Sequence, residues 1–240
     1  MIETCYLYYP GISSLPTFVE DSMLYSLELY DTNSAPTTRD GKGTLNADYA
    51  TRMNQTFFDN YHKTKGDVDR SLRYKKFDVK KSLGPCADFP YGFVSDEKDV
   101  AISPCIFVKM NNIWGWKPKP IEAEDFQDNP DWPKSLETNF DNLTEAQRQQ
   151  VFLDCQGESD FDKEAMVAVS YFPETKGFPI DSFPYQGNKG RYHSPLVAIK
   201  FDGSKMERFL EEMITVKCKA YYKGGPSEGE FRIRFQRKNY

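Results

Sequence analysis

No apolar run in this 240-residue sequence approaches the 18 or so residues that a membrane span needs. The first residues, Met1-Ile-Glu-Thr-Cys5, show no basic region followed by an apolar stretch, so neither a span nor a secretion signal is expected within the sequence. Histidine is scarce. With only His62 and His193, and five cysteines that form no C-x-x-C pair, a structural zinc site has too few ligands at usable spacing. Positive charge is not in excess: 31 Lys and Arg stand against 36 Asp and Glu, giving a net charge of −5, which argues against binding nucleic acid by phosphate neutralisation. Leu, Ile, Val and Phe number only 52, barely above the level of roughly 20% below which charged chains stay unfolded. What is abundant is the aromatic ring. Eighteen Phe, fifteen Tyr and three Trp suit half-buried sheet faces better than helix bundles.

Residues 1–45 read as a peripheral arm of turn formers around one apolar strand candidate, Met23–Tyr30. Residues 46–65 read as a helix, with Asn46 as N-cap and Tyr49, Met53, Phe57 and Tyr61 recurring every four residues. From about residue 70 the period changes to two. Cys105–Met110, Ala165–Phe172, Leu196–Phe201, Ile214–Ala220 and Phe231–Phe235 are strand candidates. Ile214, Val216, Cys218 and Ala220 share one face, which points Cys218 inward, where a disulfide would tie sheet to sheet or sheet to loop. Lys223–Gly229 reads as a hairpin loop between the last two strands. The Pro-rich, acidic stretch from Trp116 to Gln150 reads as a long surface excursion, with a short helix over Glu145–Leu153. A mainly β architecture follows: an antiparallel β-sandwich over about 70–240, one flanking helix and long loops.

Candidate catalytic patterns fail on context. Gly225-Pro-Ser-Glu-Gly229 matches the nucleophile-elbow pattern, but no histidine follows Ser227 and the motif leads into a strand instead of a helix. Asp40–Thr44 lacks phosphate-loop spacing. Asp160, Asp162 and Glu164 alternate as at the start of a calcium loop, without its turn glycine or terminal glutamate, and read as a solvated acidic turn. No catalytic residue, metal site or cofactor is expected. Asn54-Gln-Thr56 and Asn142-Leu-Thr144 are N-glycosylation sequons, which fit an oxidising, extracytoplasmic setting. Gly177–Gly187, with two Phe-Pro steps and a Pro-Tyr-x-Gly turn, holds rings on stiff backbone, either as a contact surface or as a plug at the end of the sandwich.

Four segments carry a resemblance. Pro104–Pro120, Phe178–Gly187, Tyr192–Phe201 and Cys218–Tyr221 resemble, in order, motifs of the extracellular domain of sodium/potassium-transporting ATPase β-subunits, and Pro10-Gly11 with Pro16 resembles the segment just outside that family's membrane span. The resemblance implies an immunoglobulin-like sandwich that performs no chemistry. It implies residues 46–240 as ectodomain, residues 1–45 as a juxtamembrane-like arm, and attachment to the plasma membrane only through a span upstream of Met1. The implied partner is the catalytic α-subunit of a P-type cation pump, assisted in folding, export and cation affinity. Disulfides Cys86–Cys105 and Cys155–Cys218 are implied likewise; for the family's third bridge both partners are missing, Lys75 standing where one is expected, and Cys5 is left over. On this reading Phe183, Pro184, Tyr185, Gly187 and Tyr192 are the partner-contact candidates. The alternative is a secreted, pump-independent immunoglobulin-like adhesion or binding module.

Overall fold

The computed structural model describes residues 12–15, 24–26, 77–89, 91–92, 103, 105–110, 113–166, 169–185, 192–202, 214–224 and 230–235. The expected helix at 46–65, and with it Asn54 and His62, lies outside them, as do Cys5, Asp40–Thr44, Gly187 and Ser227. The strands are β1 (Ile12–Leu15), β2 (Leu24–Ser26), β3 (Cys105–Met110), β4 (Gln150–Gly157), β5 (Val169–Phe172), β6 (Gly177–Pro179), β7 (Leu196–Phe201), β8 (Ile214–Tyr221) and β9 (Glu230–Phe235). Short helices intervene: α1 (Val79–Ser82), α2 (Asp125–Asp128), α3 (Lys134–Asp141), α4 (Glu145–Arg148) and α5 (Asp160–Ala165). The molecule is mainly β.

One sheet has the order β1-β3-β7-β5 and is antiparallel throughout; the other has the order β2-β9-β8-β4-β6, antiparallel except where β2 runs parallel to β9. The inner faces share one apolar core, in which Ile106, Val108, Val151, Leu153, Ile199 and Val216 are all within 1% of full burial. Two sheets packed in this way are compatible with the immunoglobulin-like sandwich expected from the sequence. The clean alternation in β8 becomes alternating burial, Ile214, Val216 and Cys218 inward and Thr215, Lys217 and Lys219 half-exposed.

Three expectations are corrected. Ala165–Phe172 is not one strand, because Ala165 closes α5 and β5 begins only at Val169. The helix over Glu145–Leu153 stops at Arg148, and Gln150–Gly157 is a strand in the middle of the second sheet. Its residues do not alternate because β4 is buried on both faces, Gln156 being the exception. The Pro-rich stretch is no mere excursion. Its residues Ile121, Leu136 and Phe140 form a second, smaller core with Phe152 of β4, flanked by Phe126, Trp132, Leu143 and Tyr221. Arg148 locks this cover down, its guanidinium 4.2 Å from the centre of the Phe140 ring and its Nε donating to the Phe140 carbonyl at 3.1 Å.

Two disulfides tie the frame. Cys86–Cys105 fastens the segment carrying α1 to the start of β3, with the Cα atoms 5.8 Å apart. Cys155–Cys218 joins directly opposed residues of the neighbouring strands β4 and β8, so it ties strand to strand within one sheet and not sheet to sheet or sheet to loop.

Candidate functional site

Register decides which residues meet at each end of the sandwich. Ile12, the first residue of β1, pairs with Met110, the last of β3, and Leu196, the first of β7, pairs with Lys109. The segment leaving β3 and the segment entering β7 therefore emerge at the end where β1 begins. Trp114 follows Met110 by four residues; Tyr192 precedes Leu196 by four. The third contributor is the segment after β6, where a 3-10 turn at Ile180–Ser182 delivers Phe183, Pro184 and Tyr185.

These segments lock together in two layers. In the inner layer, Trp116 packs edge-on against Phe183 at 5.5 Å and Tyr222 at 5.4 Å between ring centres. Phe183 is 3% exposed and Tyr222 6%. In the outer layer, Tyr185 stands edge-on to Trp114 at 6.3 Å and to Tyr192 at 5.1 Å. The backbone joins in, since Gly115 N–H donates to the Tyr185 carbonyl at 2.8 Å and Trp114 forms a parallel bridge with Tyr185. Gly115 has φ +68°, a left-handed turn that glycine takes without strain, and this turn leaves Trp114 71% exposed.

The contact candidates of the sequence thus separate. Phe183 belongs to the core, as a plug would, whereas Pro184, Tyr185 and Tyr192 are half-buried on the surface. Trp114 was missed. The only signal for it was Trp-Gly-Trp between two strand candidates, which does not say which ring faces out.

Electrostatics at this end are mild. Burial lowers the pKa of Lys109. Burial also pushes the Tyr222 phenol up to about 12, and its hydroxyl has no hydrogen-bond partner among the described residues. Beside it, Lys223 pairs with Glu122 and lies 3.8 Å from Asp125; the Glu122 hydrogen bond is the main cause holding the ammonium pKa above its ordinary value.

Other candidates take structural places. Asp160 and Glu164 are exposed, but Asp162 is buried and binds backbone, so the trio is not a solvated turn. Among the described residues no group of His, Cys, Asp and Glu is placed to hold a metal ion, and no helix is long and apolar enough to cross a membrane. His193 is buried. Asn142 caps the C-terminus of α3 on the exposed surface, donating to the Thr138 carbonyl at 2.9 Å.

Together these features define the class: a β-sandwich tied by two disulfides, with one end faced by aromatic rings. The sequence model of the family described as "Sodium / potassium ATPase beta chain" matches residues 8–228, and the chain belongs to that family. It is 30% identical over 207 residues to the sodium/potassium-transporting ATPase subunit beta-1 of Drosophila melanogaster, covering 81% of this chain and 61% of that protein. Against subunit beta-2 of the same fly it is 37% identical over 123 residues, covering 50% and 36%. Subunit beta-1 of Tetronarce californica is 27% identical over 191 residues, covering 73% and 56%. The chain thus spans less than two thirds of the length of these relatives.

Proposed function

We propose that this chain is the extracellular part of a β-subunit of a sodium/potassium-transporting P-type ATPase, a non-catalytic partner that assists folding, export and cation affinity of the catalytic α-subunit at the plasma membrane. The family match across residues 8–228 carries the reading. The ring-lined end supports it: the rings lie where β1 begins, so a membrane span upstream of β1 brings Trp114, Tyr185 and Tyr192 closest to the membrane and the pump. Rigid aromatics on a backbone fixed by hydrogen bonds are the residues that dominate binding energy at protein interfaces. Asn142, exposed at the C-terminus of α3, is with Asn54 a glycan acceptor of this reading.

The test is co-assembly. In a membrane-anchored version, Trp114→Ala and Tyr185→Ala should each weaken association with the α-subunit by about 2 kcal/mol or more, as for a buried interface aromatic. Recovery of the α-subunit at the cell surface should fall with it, while the melting temperature of the soluble chain changes little. Normal assembly by both variants sinks the contact surface, and failure of the unaltered anchored chain to co-purify with any α-subunit sinks the pump reading.

A further inference from the structure

One corner of the cover over β4 combines exposure with a dense set of local ties. The sequon Asn142-Leu-Thr144 lies between α3 and α4. Asn142 and Thr144 are exposed, so a sugar chain on Asn142 has room. Each of the three residues is nevertheless held. Asn142 has helical backbone, φ −76° and ψ −6°, and its Nδ2 donates to the Thr138 carbonyl at 2.9 Å. Leu143 is half-buried against the second core, and its N–H donates to the Phe140 carbonyl at 3.1 Å. Thr144 caps α4: its Oγ1 donates to Gln147 Oε1 at 2.9 Å and accepts from Gln147 N–H at 3.4 Å, while its own N–H donates to Gln147 Oε1 at 3.0 Å. Arg148 closes the corner, reaching back to the carbonyls of Phe140 at 3.1 Å and Asp141 at 3.4 Å.

Attaching a glycan makes demands that this corner resists. In the transfer, the acceptor amide nitrogen attacks C1 of a sugar carried on a polyprenyl diphosphate. The N–C1 bond forms, the C1–O bond breaks, the diphosphate leaves with the bonding electrons, and the amide gives up one proton to the transferring enzyme. That enzyme must reach both the amide and the hydroxyl two residues on, which is why a sequon has Ser or Thr there. In the folded chain the Thr144 hydroxyl is engaged as donor and as acceptor, and drawing the three residues into an enzyme groove requires pulling Leu143 off the second core. The product, by contrast, fits. An unmodified amide has two N–H donors and a glycosylated one keeps one, so the bond to the Thr138 carbonyl survives and α3 keeps its C-terminal tie.

We propose that Asn142 accepts an N-linked glycan only while residues 138–148 are open, that the Thr144–Gln147 cap and the Leu143 anchor form the gate, and that the glycan once attached leaves the corner intact. The hydrogen bonds of the corner join residues at most eight apart, so they form from local sequence, and such contacts close early. Occupancy of Asn142 is then the outcome of a race between transfer and closure. The encounter with a transferring enzyme rests on the extracytoplasmic reading above; the gate rests on this corner alone.

The experiment incubates the purified, unglycosylated 240-residue chain with a single-subunit oligosaccharyltransferase and an oligosaccharide on a polyprenyl diphosphate, and reads Asn142 occupancy by mass spectrometry of the tryptic peptide 135–148. The reduced chain, shown by circular dichroism to be unfolded, should be modified at least about tenfold faster than the oxidised, folded chain. Gln147→Ala keeps the sequon and opens the cap; it should speed transfer to the folded chain at least about threefold and leave transfer to the unfolded chain unchanged. Ser159→Ala opens a similar cap on α5, away from the sequon, and should not speed it, which separates local opening from general destabilisation. Chain glycosylated while reduced and then oxidatively refolded should melt within about 2 °C of the unmodified protein. No transfer to the unfolded chain, equal transfer to both forms, equal effects of Gln147→Ala and Ser159→Ala, or a glycosylated chain that melts well below the unmodified one overturns the proposal. Each of these results leaves the pump reading standing, because co-assembly with an α-subunit tests that separately.

Discussion

Asp162 offers the sharpest test of how the sandwich is held. Its carboxylate is 5% exposed and serves two elements at once. Oδ2 accepts from Ser159 N–H at 2.8 Å and Ser159 Oγ at 2.6 Å, while Ser159 Oγ accepts in return from Asp162 N–H at 3.1 Å, closing a reciprocal cap on α5. Oδ1 accepts from Thr215 N–H of β8 at 2.8 Å, so the same side chain fixes the helix to the sheet. Asp162→Ala removes the N3 half of this reciprocal cap and leaves Ser159 Oγ on the residue-162 N–H. It also strands two backbone donors at a site with little access to water, at roughly 1–3 kcal/mol each. Allowing for partial relaxation, the loss should be about 3 kcal/mol, which for a domain of this size is a fall in melting temperature of roughly 6–12 °C. Asp162→Asn keeps one acceptor and should lose about half as much. Asp160→Ala, two residues away on the exposed side, should leave the melting temperature where it was. The assay is thermal unfolding of the four oxidised proteins, with and without calcium. Equal melting of Asp162→Ala and the unaltered chain would refute the capping argument, and a calcium-dependent rise that vanished in Asp162→Ala would restore the cation-loop reading of this acidic trio.

Other predictions follow from the same geometry. Removing Cys155–Cys218 as a pair of alanines should destabilise by about 4 kcal/mol and removing Cys86–Cys105 by about 3, because they close loops of 63 and 19 residues; denaturant titrations giving the reverse order would contradict the loop-closure account. Tyr222→Phe should be neutral or slightly stabilising at pH 7, since the hydroxyl it deletes has no partner among the described residues. The folded pKa of Tyr222 lies above its ordinary 10.0, at about 12, so its contribution is complete below pH 10 and lost as pH rises towards 12; alkaline unfolding should be blunted in the variant, and an unchanged alkaline profile would count against this assignment. Gly157→Ala would bring a methyl 2.2 Å from the backbone of Asp162 and Lys163, so it should cost roughly 1–3 kcal/mol of stability, whereas Gly115→Ala, with open space around it, should show only turn strain.

In the sequence, β8 and β9 announce themselves by period, and β8 shows the reason, with one face on the core and one half-exposed. β3 and β7 are buried on both faces and are legible instead as short apolar runs, Cys105–Val108 and Leu196–Ile199. β4 stayed hidden because the second core covers its outer face: with Val151, Phe152, Leu153 and Cys155 all buried, no face is left to be polar. Its two polar core residues, Gln150 and Asp154, looked like surface positions, and only the structure supplies what satisfies them, the Thr175 carbonyl at 2.9 Å and Ser135 with Gln156. Asp162 was read as solvated for a related reason. Its cap partner Ser159 is local and readable, but its contact with Thr215 spans 53 residues. The ring-bearing segment was recognised as unusual from its prolines, yet which rings face inward depends on Trp116 and Tyr222, contributed from elsewhere in the chain.

The placement of the two covalent ties bears on how such a molecule presents a surface. Neither reaches the ring-lined end: Cys86–Cys105 lies at the far end of β3, and Cys155–Cys218 lies in the half of β4 beyond β6. The rings are held instead by each other, by Gly115 N–H on the Tyr185 carbonyl, and by Lys223 N–H on the Lys119 carbonyl at 3.1 Å. Each of these contacts is weak, an edge-to-face pair contributing about 0.5–1.5 kcal/mol beyond its buried area. In combination they fix three chain segments without a covalent bond. A surface organised in this way is stiff enough to lose little entropy on docking, yet a partner that buries Trp114 still adds the largest single increment of apolar burial available at that end. The strands beneath, tied away from this end by the two disulfides, keep those segments in register.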